Sequence, residues 1–263
     1  MKTVARGGGG HRGGPEPLAS DYAATYCELE GRHWWWRGRR RIVLDVIGRV
    51  ARRQELDRAL DIGCGAGYLL ESLHGVVREG VGIEPDEGLR GQANRRLGLA
   101  GSVHAGHLPD GLPEGLGEFD LVLALDVLEH VEDDAAACAA LKGLTRAGGH
   151  VVVTVPAMPF LYGPFDALNG HFRRYRLGQL VDLVAGAGLV IERATYVNFL
   201  LFPLLCAQRL WQRVRAPRSA VPGIPPAVVN APLMGIFGLE RFLIRAARLP
   251  WGGSILCAAV RPR

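Results

Sequence analysis

Two patterns of apolar and polar residues alternate along this chain. Short runs of aliphatic side chains recur, and between most of them apolar residues return every three or four positions, as in amphipathic helices. The candidate strands are Ala59–Ile62, Gly80–Ile83, Ser102–Ala105, Asp120–Leu125, His150–Val155, Val190–Val197 and Ile255–Val260. Strands that alternate with helices predict an α/β fold with a doubly wound, mainly parallel sheet and right-handed crossovers.

The N-terminal part has a different pattern. Residues 1–18 are rich in Gly with scattered Arg and Pro, which predicts a disordered arm, with an RNA-binding arm as the alternative interpretation. Ser20 and Asp21 suit the start of a helix, and a second helical pattern runs from His33 to Arg53. We therefore predict a helical cap over residues 19–56, at the start of a single domain that covers residues 19–263.

The alternation breaks between residues 199 and 248. Two apolar segments there carry arginines, often at helical spacing, and they flank a Pro-rich turn, so we predict a helical insertion before the last strand. Neither segment is expected to span a bilayer, because about 20 apolar residues are needed. Four interpretations stay open: a lid over an apolar acceptor, a homodimer interface, a helix in the plane of a membrane surface, and ordinary packing.

Composition and charge add few constraints. Of the 263 residues, 48% are hydrophobic and 22% are charged, which is typical of a globular protein. The net charge of +5 permits contact with anionic lipid, phosphorylated substrates or nucleic acid without selecting one of them. The five cysteines form no C-x-x-C pair and no apolar signal segment follows the N-terminus, so we expect a cytoplasmic protein, with peripheral contact at the inner face of the membrane as the alternative. We predict no metal site.

The strongest chemical signal is the segment LDIGCGAGYLL, residues 60–70. Gly63, Gly65 and Gly67 follow the first strand, where glycine lets the backbone turn sharply and a ligand approach closely. Tyr68 stands where a dinucleotide-binding loop has its third glycine, and no P-loop motif is present. Glu84 ends the second strand about twenty residues further on, where a carboxylate can accept hydrogen bonds from both hydroxyls of a ribose.

Four segments together resemble class I S-adenosylmethionine-dependent methyltransferases. They are D-x-G-C-G-x-G at the loop, I-E-P after the second strand, FDLVLALDVLEHVEDD around the fourth and LTRAGGHVVVTVPA around the fifth. The resemblance covers roughly residues 31–198 and is closest to the ubiquinone and menaquinone biosynthesis methyltransferases. It implies a Rossmann-like sheet of seven strands whose last strand, here SILCAAV, is antiparallel, and it implies S-adenosylmethionine as the cofactor.

The resemblance also implies a set of cofactor contacts. Asp61 and the three glycines would line the methionine and the ribose, and Glu84 would hold the ribose hydroxyls. Leu125 and Asp126, just after the fourth strand, would lie beside the methionine amino group.

Two further parts of the cofactor site follow from similar methyltransferases. An N-terminal aromatic and basic helix covers the cofactor in them, so Trp36 would cover it here, with Arg37 near the methionine carboxylate. The family often has an acidic residue after the third strand for the adenine amino group. This chain has His107 and Leu108 there, so His107 itself or a backbone carbonyl would take over that contact.

The acceptor side is predicted at the ends of the fourth and fifth strands. His130 is a candidate general base, because the ordinary pKa of histidine lies near neutrality. The alternative is that Glu129 and His130 orient the loop or cap a helix.

The long loop after the fifth strand contains the run G-H-x-R-R-Y, which similar methyltransferases share. Its candidates for catalysis or acceptor contact are Asp166, His171, Arg173, Arg174 and Tyr175. The alternative is that its two arginines cap the next helix and pair with acidic neighbours.

We therefore predict methyl transfer to a small-molecule or lipid-type, partly apolar acceptor, by in-line displacement at a sulfonium methyl group. Two other classes stay as alternatives. A nucleic-acid methyltransferase that acts on an exocyclic amine would have an N/D-P-P-Y/F loop, where this chain has DVLEH, so nucleic acid is the less favoured partner. A non-catalytic cofactor-binding protein is disfavoured by the intact glycine loop and Glu84.

Overall fold

The computed structural model describes residues 20–98, 101–215 and 222–263, and the predicted N-terminal arm lies outside these residues. The strands are β1 (Arg58–Ile62), β2 (Glu79–Ile83), β3 (Gly101–His104), β4 (Phe119–Leu125), β5 (Thr145–Pro156), β6 (Val190–Val197) and β7 (Ser254–Val260). They form one sheet in the order β3–β2–β1–β4–β5–β7–β6. Strand β7 pairs antiparallel with β5 and with β6, and the other neighbours pair in parallel.

The predicted fold is thereby confirmed, and most predicted strand ends agree with the structure within one residue. Strand β5 is the exception, since it begins at Thr145 rather than at His150. Gly148 and Gly149 interrupt its apolar pattern, and Gly148 has a φ of 77°. Two adjacent glycines are typical of a turn, so the sequence pattern does not predict the first part of this strand.

Helices cover both faces of the sheet. They are α1 (Ser20–Arg32), α2 (Trp34–Ala51), α3 (Tyr68–Ser72), α4 (Glu87–Leu97), α5 (Asp134–Leu144), α6 (Pro164–Leu168), α7 (Leu177–Gly186), α8 (Phe202–Val214) and α9 (Ala227–Ala246). Side chains of α2 and α9 form one core with strand residues such as Leu123, and side chains of α5 and α7 form the other with residues such as Val122. All seven residues of β4 are buried, as expected for a central strand that is covered on both faces.

Helix α2 belongs to the predicted cap and packs on the sheet. His33 separates it from α1 and caps it, because the imidazole accepts a hydrogen bond of 3.1 Å from the backbone N–H of Trp35. Gly38 lets α2 approach α9 closely, since a Cβ at this position would overlap the ring of Phe237. The exact boundaries of the cap and of the insertion stay predictions.

Helix α9 corrects one expectation about the insertion. It contains 20 residues and is long and apolar enough to cross a membrane by length and composition, whereas neither segment was expected to reach that length. The start of α9 could not be located from the sequence, because the helix begins at Ala227, directly after two prolines of the Pro-rich turn. It also continues through Pro232. A core helix passes the same test, so length alone assigns no role to α9.

Three residues at the carboxyl edge of the sheet have left-handed backbone conformations without being glycine. Asp126 follows β4 with a φ of 59°, Met158 follows β5 with a φ of 64°, and Asn198 follows β6 with a φ of 59°. Such conformations are strained for residues with a side chain and cluster at functional sites. The chain therefore turns sharply at three strand ends along the edge where α/β proteins bind ligands.

Candidate cofactor and acceptor site

The glycine loop connects β1 to α3 and needs glycine for two reasons. Gly63, Gly65 and Gly67 have φ angles of 70°, 56° and 81°, in the left-handed region that favours glycine. There is also no room for a side chain, because a Cβ at Gly67 would lie 3.0 Å from the Cβ of Ala93, and one at Gly65 would collide with the carboxylate of Glu30. The loop thus presents bare backbone at the carboxyl edge of β1.

Two carboxylates bind this backbone from opposite sides. Glu84 accepts hydrogen bonds from the N–H of Gly65 at 2.9 Å and from the N–H of Asp86 at 3.0 Å. Glu30, from α1, accepts one from the N–H of Ala66 at 2.9 Å. Both side chains are buried, so helix α1 brings a carboxylate into the loop that the sequence motif does not include.

Burial makes this cluster of carboxylates resist ionisation. Burial, with smaller repulsion from Glu84, raises the pKa of Glu30 to about 7, although Ala66 and Arg39 oppose the rise. Burial and then Glu30 raise the pKa of Asp61 to about 8. Burial likewise raises the pKa of Glu84 above its ordinary value. A ligand that carries positive charge would therefore be favoured here, because it would stabilise the ionised carboxylates.

The pKa of Glu30 predicts a pH-dependent stability. Glu30 binds its proton more tightly in the folded chain than in the unfolded chain, so its contribution falls as the pH rises from about 4.5 through about 7. Glu30→Gln is expected to stabilise the protein at pH 8, by up to about 3 kcal/mol, and to have little effect near pH 4. Denaturant titrations across this range measure the difference. Glu28→Gln, an exposed change on the same helix, is the control, and an effect of Glu30→Gln that is equal at every pH would contradict this account.

An arginine of α2 binds the residue that follows β4. Arg39 forms an ion pair with Asp126, and its guanidinium also lies 3.5 Å from the carbonyl oxygen of Leu125. Burial opposes the charge of Arg39, but Asp126 and the nearby acidic groups outweigh burial and raise its pKa. Thr154 of β5 donates a hydrogen bond of 3.1 Å to the other carboxylate oxygen of Asp126. Sequence reasoning missed Arg39, and its own candidate, Arg37 near the methionine carboxylate, stays a prediction.

A small cleft between the cap and the sheet edge joins these groups. Its lining residues are Glu30, Trp36, Arg39, Arg40, Tyr68, Leu69 and Leu125. Trp36 and Leu125 were predicted at the cofactor site, and Arg37 is not among the lining residues. The spacing of Trp36 and Arg40, four apart on one helix, could have placed Arg40 on the same face.

The residues present fit S-adenosylmethionine, the cofactor that the sequence resemblance implies. The loop carries no side chain at Gly63, Gly65 or Gly67. Glu84 can accept from ribose hydroxyls, and Asp61, Asp126 and Glu30 suit the positive sulfonium and ammonium groups. His107 is exposed after β3, with its ring over Gly111, and Leu108 beside it is buried. Contact of His107 or Leu108 with adenine stays a prediction.

On the acceptor side, a short 3₁₀ turn after β4 and the loop after β5 bring two histidines together. The rings of His130 and His171 lie 4.6 Å apart and perpendicular to each other. Desolvation by the surrounding atoms and then His171 lower the pKa of His130 to about 4, although one side of the residue is open to solvent. His130 is therefore uncharged at neutral pH.

Asp166 holds His171 in place. Its carboxylate lies 3.2 Å from Nδ1 of His171 and 2.7 Å from the guanidinium of Arg174. Burial works against the charge of Asp166, but the hydrogen bonds from His171 and Arg174 outweigh it and lower its pKa to about 2. An ionised carboxylate can only accept, so Nδ1 of His171 donates to Asp166, and in the neutral form of such an imidazole the free electron pair lies on Nε2.

The remaining candidates of this loop make structural contacts. Arg174 is buried and also donates to the carbonyl of Ala157 at 3.1 Å. Arg173 forms an ion pair of 2.9 Å with Asp134 at the start of α5, and the hydroxyl of Tyr175 lies 2.8 Å from the same carboxylate. These contacts agree with the pairing interpretation of the two arginines, and contact of Asp166, Arg173, Arg174 or Tyr175 with an acceptor stays a prediction.

Glu129 lies beneath the histidine pair. It is 1% exposed, and its Oε2 has no hydrogen-bond partner in the described part of the chain. Burial and then Asp126 raise the pKa of Glu129 well above its ordinary value, which favours its uncharged form. Ligand atoms of Glu129, His130 and His171 lie within 4.8 Å of one another, a group that could hold a metal ion. The absence of a metal site stays a prediction.

Comparisons with known proteins identify the family of this chain. Residues 35–194, more than half of the chain, match a family described as Methyltransferase domain. The chain is similar to two proteins named ubiquinone biosynthesis O-methyltransferase. That of Aromatoleum aromaticum is 34% identical over 151 residues, or 54% of this chain and 57% of that protein. That of Methylococcus capsulatus is 37% identical over 126 residues, or 46% of this chain and 47% of that protein. The matches thus span about half the length of these relatives.

A solved structure shows the same fold over nearly the whole chain. Phosphoethanolamine N-methyltransferase 2 of Haemonchus contortus, in complex with S-adenosyl-L-methionine, superposes with a TM-score of 0.61 and 15% identity. The superposition covers 93% of this chain and 58% of that one. At this identity the likeness concerns the fold alone.

Proposed function

Because the chain belongs to the class I S-adenosylmethionine-dependent methyltransferases, we propose that it methylates a hydroxyl oxygen of a small, partly apolar acceptor. The observation that carries this proposal is His171, which Asp166 holds with a free electron pair on Nε2 beside His130. Methylation of a hydroxyl oxygen must dispose of a proton, and a positioned imidazole can take it. An amine or an activated carbon acceptor would have less need of such a base.

The cofactor supplies the methyl group on a sulfonium centre, and this chain supplies orientation and a base. Glu84 and the glycine loop would hold the ribose, and Asp61 and Asp126 would face the positively charged part. Nε2 of His171 would take the hydroxyl proton of the acceptor as the acceptor oxygen takes the methyl group. The electrons of the broken carbon–sulfur bond would stay on the sulfur, so the cofactor would leave as its neutral, demethylated thioether. Asp166 stabilises the positive charge that His171 gains, because its carboxylate is already ionised.

The surroundings of His171 support a partly apolar acceptor. Phe160 and Phe172 are 61% and 54% exposed in the same loop, and the hydroxyl of Tyr162 donates to the carbonyl of His171 at 2.8 Å. Aromatic rings that stay open to solvent next to a base can cover an aromatic or aliphatic acceptor.

A cofactor-consumption assay tests the proposal. The protein is incubated with S-adenosylmethionine and pooled quinols, lipids, sugars or RNA, and formation of the demethylated cofactor is measured. We expect turnover with hydroxyl-bearing apolar pools. Turnover with RNA alone would replace the proposal with the nucleic-acid alternative. A folded protein that binds no cofactor in calorimetry would end the proposal altogether.

Glu84→Ala is expected to weaken binding of S-adenosylmethionine by roughly 1.5–3 kcal/mol, the scale of hydrogen bonds to a charged group. The carboxylate is buried against the glycine loop, where it accepts from the N–H of Gly65. Calorimetry with wild type and variant measures the loss. Glu87→Ala, three residues later in the exposed first turn of α4, is the control and should bind like the wild type. Equal affinity of all three proteins would remove Glu84 from the cofactor site.

A further inference from the structure

Helix α9 directs its apolar side away from the protein. Its exposed residues are all apolar except Arg245, and the structure describes the whole helix. The residues that lie along the outermost side are Val228, Ala231, Pro232, Gly235, Leu239, Phe242, Leu243 and Ala246. A surface helix of a globular domain normally directs charged residues outward. An apolar stripe of this length on the outside therefore marks a contact surface, and we call these eight residues the outer face of α9.

The opposite side of α9 is fastened to the domain. Phe237 is buried against α2, and Asn230 accepts from the N–H of Trp34 and donates to the carbonyl of Arg32, both at 2.8 Å. Glu240 is buried and accepts from the N–H of Leu200 at 2.9 Å, just after β6. Crossing a bilayer would break all of these contacts. The helix is instead held flat on the domain, as a helix that lies in the plane of a membrane surface must be.

Positive charge surrounds the end of the outer face. Arg245 and Arg248 are exposed at the C-terminal end of α9, and Arg193 of β6 donates to two carbonyls there. Burial, followed by Arg49 and Arg248, lowers the pKa of Arg193, which shows that these cations lie close together. Asp45 pairs with Arg245 and with Arg49, so the group keeps an excess of positive charge. Such an excess complements anionic headgroups.

Helix α8 has the same character. None of its 13 residues, all of which the structure describes, is buried. Trp211 is 60% exposed, and Arg215 lies over its ring at 5.1 Å. Tryptophan beside arginine suits the boundary between headgroups and acyl chains.

We propose that the outer face of α9, together with the exposed side of α8, binds the surface of an anionic lipid bilayer. The apolar residues enter the boundary between headgroups and acyl chains, and the arginines contact the anionic headgroups. The proposal does not depend on the identity of the acceptor, since it rests on the two helices alone.

Flotation with lipid vesicles tests the proposal on the full chain. The wild type is expected to float with vesicles that contain phosphatidylglycerol, less well at high salt, and weakly with pure phosphatidylcholine. Leu239→Glu with Phe242→Glu, at positions 55% and 48% exposed, is expected to reduce binding at least about tenfold. Arg248→Gln is expected to reduce binding to the anionic vesicles only.

The matched control is Val76→Glu with Val190→Glu, which adds the same charge at positions 39% and 54% exposed elsewhere on the surface. It should float like the wild type. Circular dichroism and cofactor calorimetry check that every variant is folded. The proposal is overturned if the wild type does not float, or if the control loses as much binding as the α9 variant. A wild-type dimer in sedimentation that Leu239→Glu with Phe242→Glu dissociates would also overturn it, because a second copy would then occupy the face.

Discussion

Asp166→Ala is expected to lower the free energy of unfolding by about 3–5 kcal/mol, the range for breaking a buried ion pair from one side. Asp166 is fully buried and lies between two cations, Arg174 at 2.7 Å and Arg209 of α8. Burial and then Arg174 lower the pKa of Arg209 to about 10, while Asp166 opposes this. Without Asp166, the guanidinium groups of Arg174 and Arg209 would face each other with no carboxylate between them, and the Nδ1 proton of His171 would lose its acceptor.

Denaturant unfolding of wild type and variant measures this loss. Asp182→Ala, an exposed change in α7, is the control and should change stability by no more than about 0.5 kcal/mol. The pKa of Asp166 is lower in the folded chain than in the unfolded chain, so its contribution is present above about pH 4 and is lost as the pH falls through about 2. A loss below 1 kcal/mol at neutral pH, on the scale of an exposed pair, would contradict the assignment of a buried network.

His171→Ala is expected to lower kcat by about 10²–10⁴ with the true acceptor, the usual contribution of a general base. The affinity for S-adenosylmethionine should stay unchanged, because the ring of His171 contacts Asp166 and His130, which are not part of the glycine loop. Steady-state kinetics and calorimetry measure the two quantities. His130→Ala should have a smaller effect, since burial holds that imidazole in its uncharged and weakly basic form.

His74→Ala, an exposed histidine after α3, is the control for this experiment. Unchanged turnover in His171→Ala would mean that the acceptor needs no base, as an amine or a carbanion-like carbon would not. In that case methyl transfer would stand and the hydroxyl acceptor would be withdrawn. A parallel loss of cofactor affinity would instead show that His171 supports the whole site.

The sheet and the glycine loop could be predicted from the sequence because both depend on local pattern. Gly63, Gly65 and Gly67 occupy left-handed positions next to a buried strand, and few residue types can stand there. The acidic end of β2 follows at a fixed offset, and Glu84 accepts a hydrogen bond from Gly65 of the loop, while its contact with a ribose stays a prediction. The antiparallel direction of the last strand, by contrast, came from the family resemblance.

The cap contributes residues that no local pattern identifies. Residues Arg37 to Arg41 are four arginines and one glycine, so the sequence does not show which arginine enters the site. The orientation of α2 on the sheet directs Arg39 to Asp126. Glu30 reaches Ala66 across the chain from a helix without any motif. Long-range packing decides both contacts, which is why the sequence suggested Arg37 and did not suggest Glu30.

The same limit applies to the two candidate surfaces. In the loop after β5, the run G-H-x-R-R-Y did not decide whether Arg174 contacts the acceptor or pairs with an acidic neighbour. Only the structure shows that Asp166 is buried beside it. In α9, apolar residues occur on every side, so the sequence did not separate Phe237, which packs on α2, from Leu239, which faces outward.

Adjacent residues of α2 contact two distant parts of the protein. Gly38 lies under Phe237 of α9, and Arg39 binds Asp126 at the edge of the cofactor cleft. A movement of α9 that shifted α2 would therefore also shift Arg39, which pairs with Asp126 beside the cleft. Coupling between two binding sites is reciprocal. If a ligand on α9 raises the affinity for the cofactor by some factor, the bound cofactor raises the affinity of α9 for that ligand by the same factor. Thermodynamic linkage of this kind would make occupancy of the cleft and attachment of the protein to its binding surface a single coupled equilibrium.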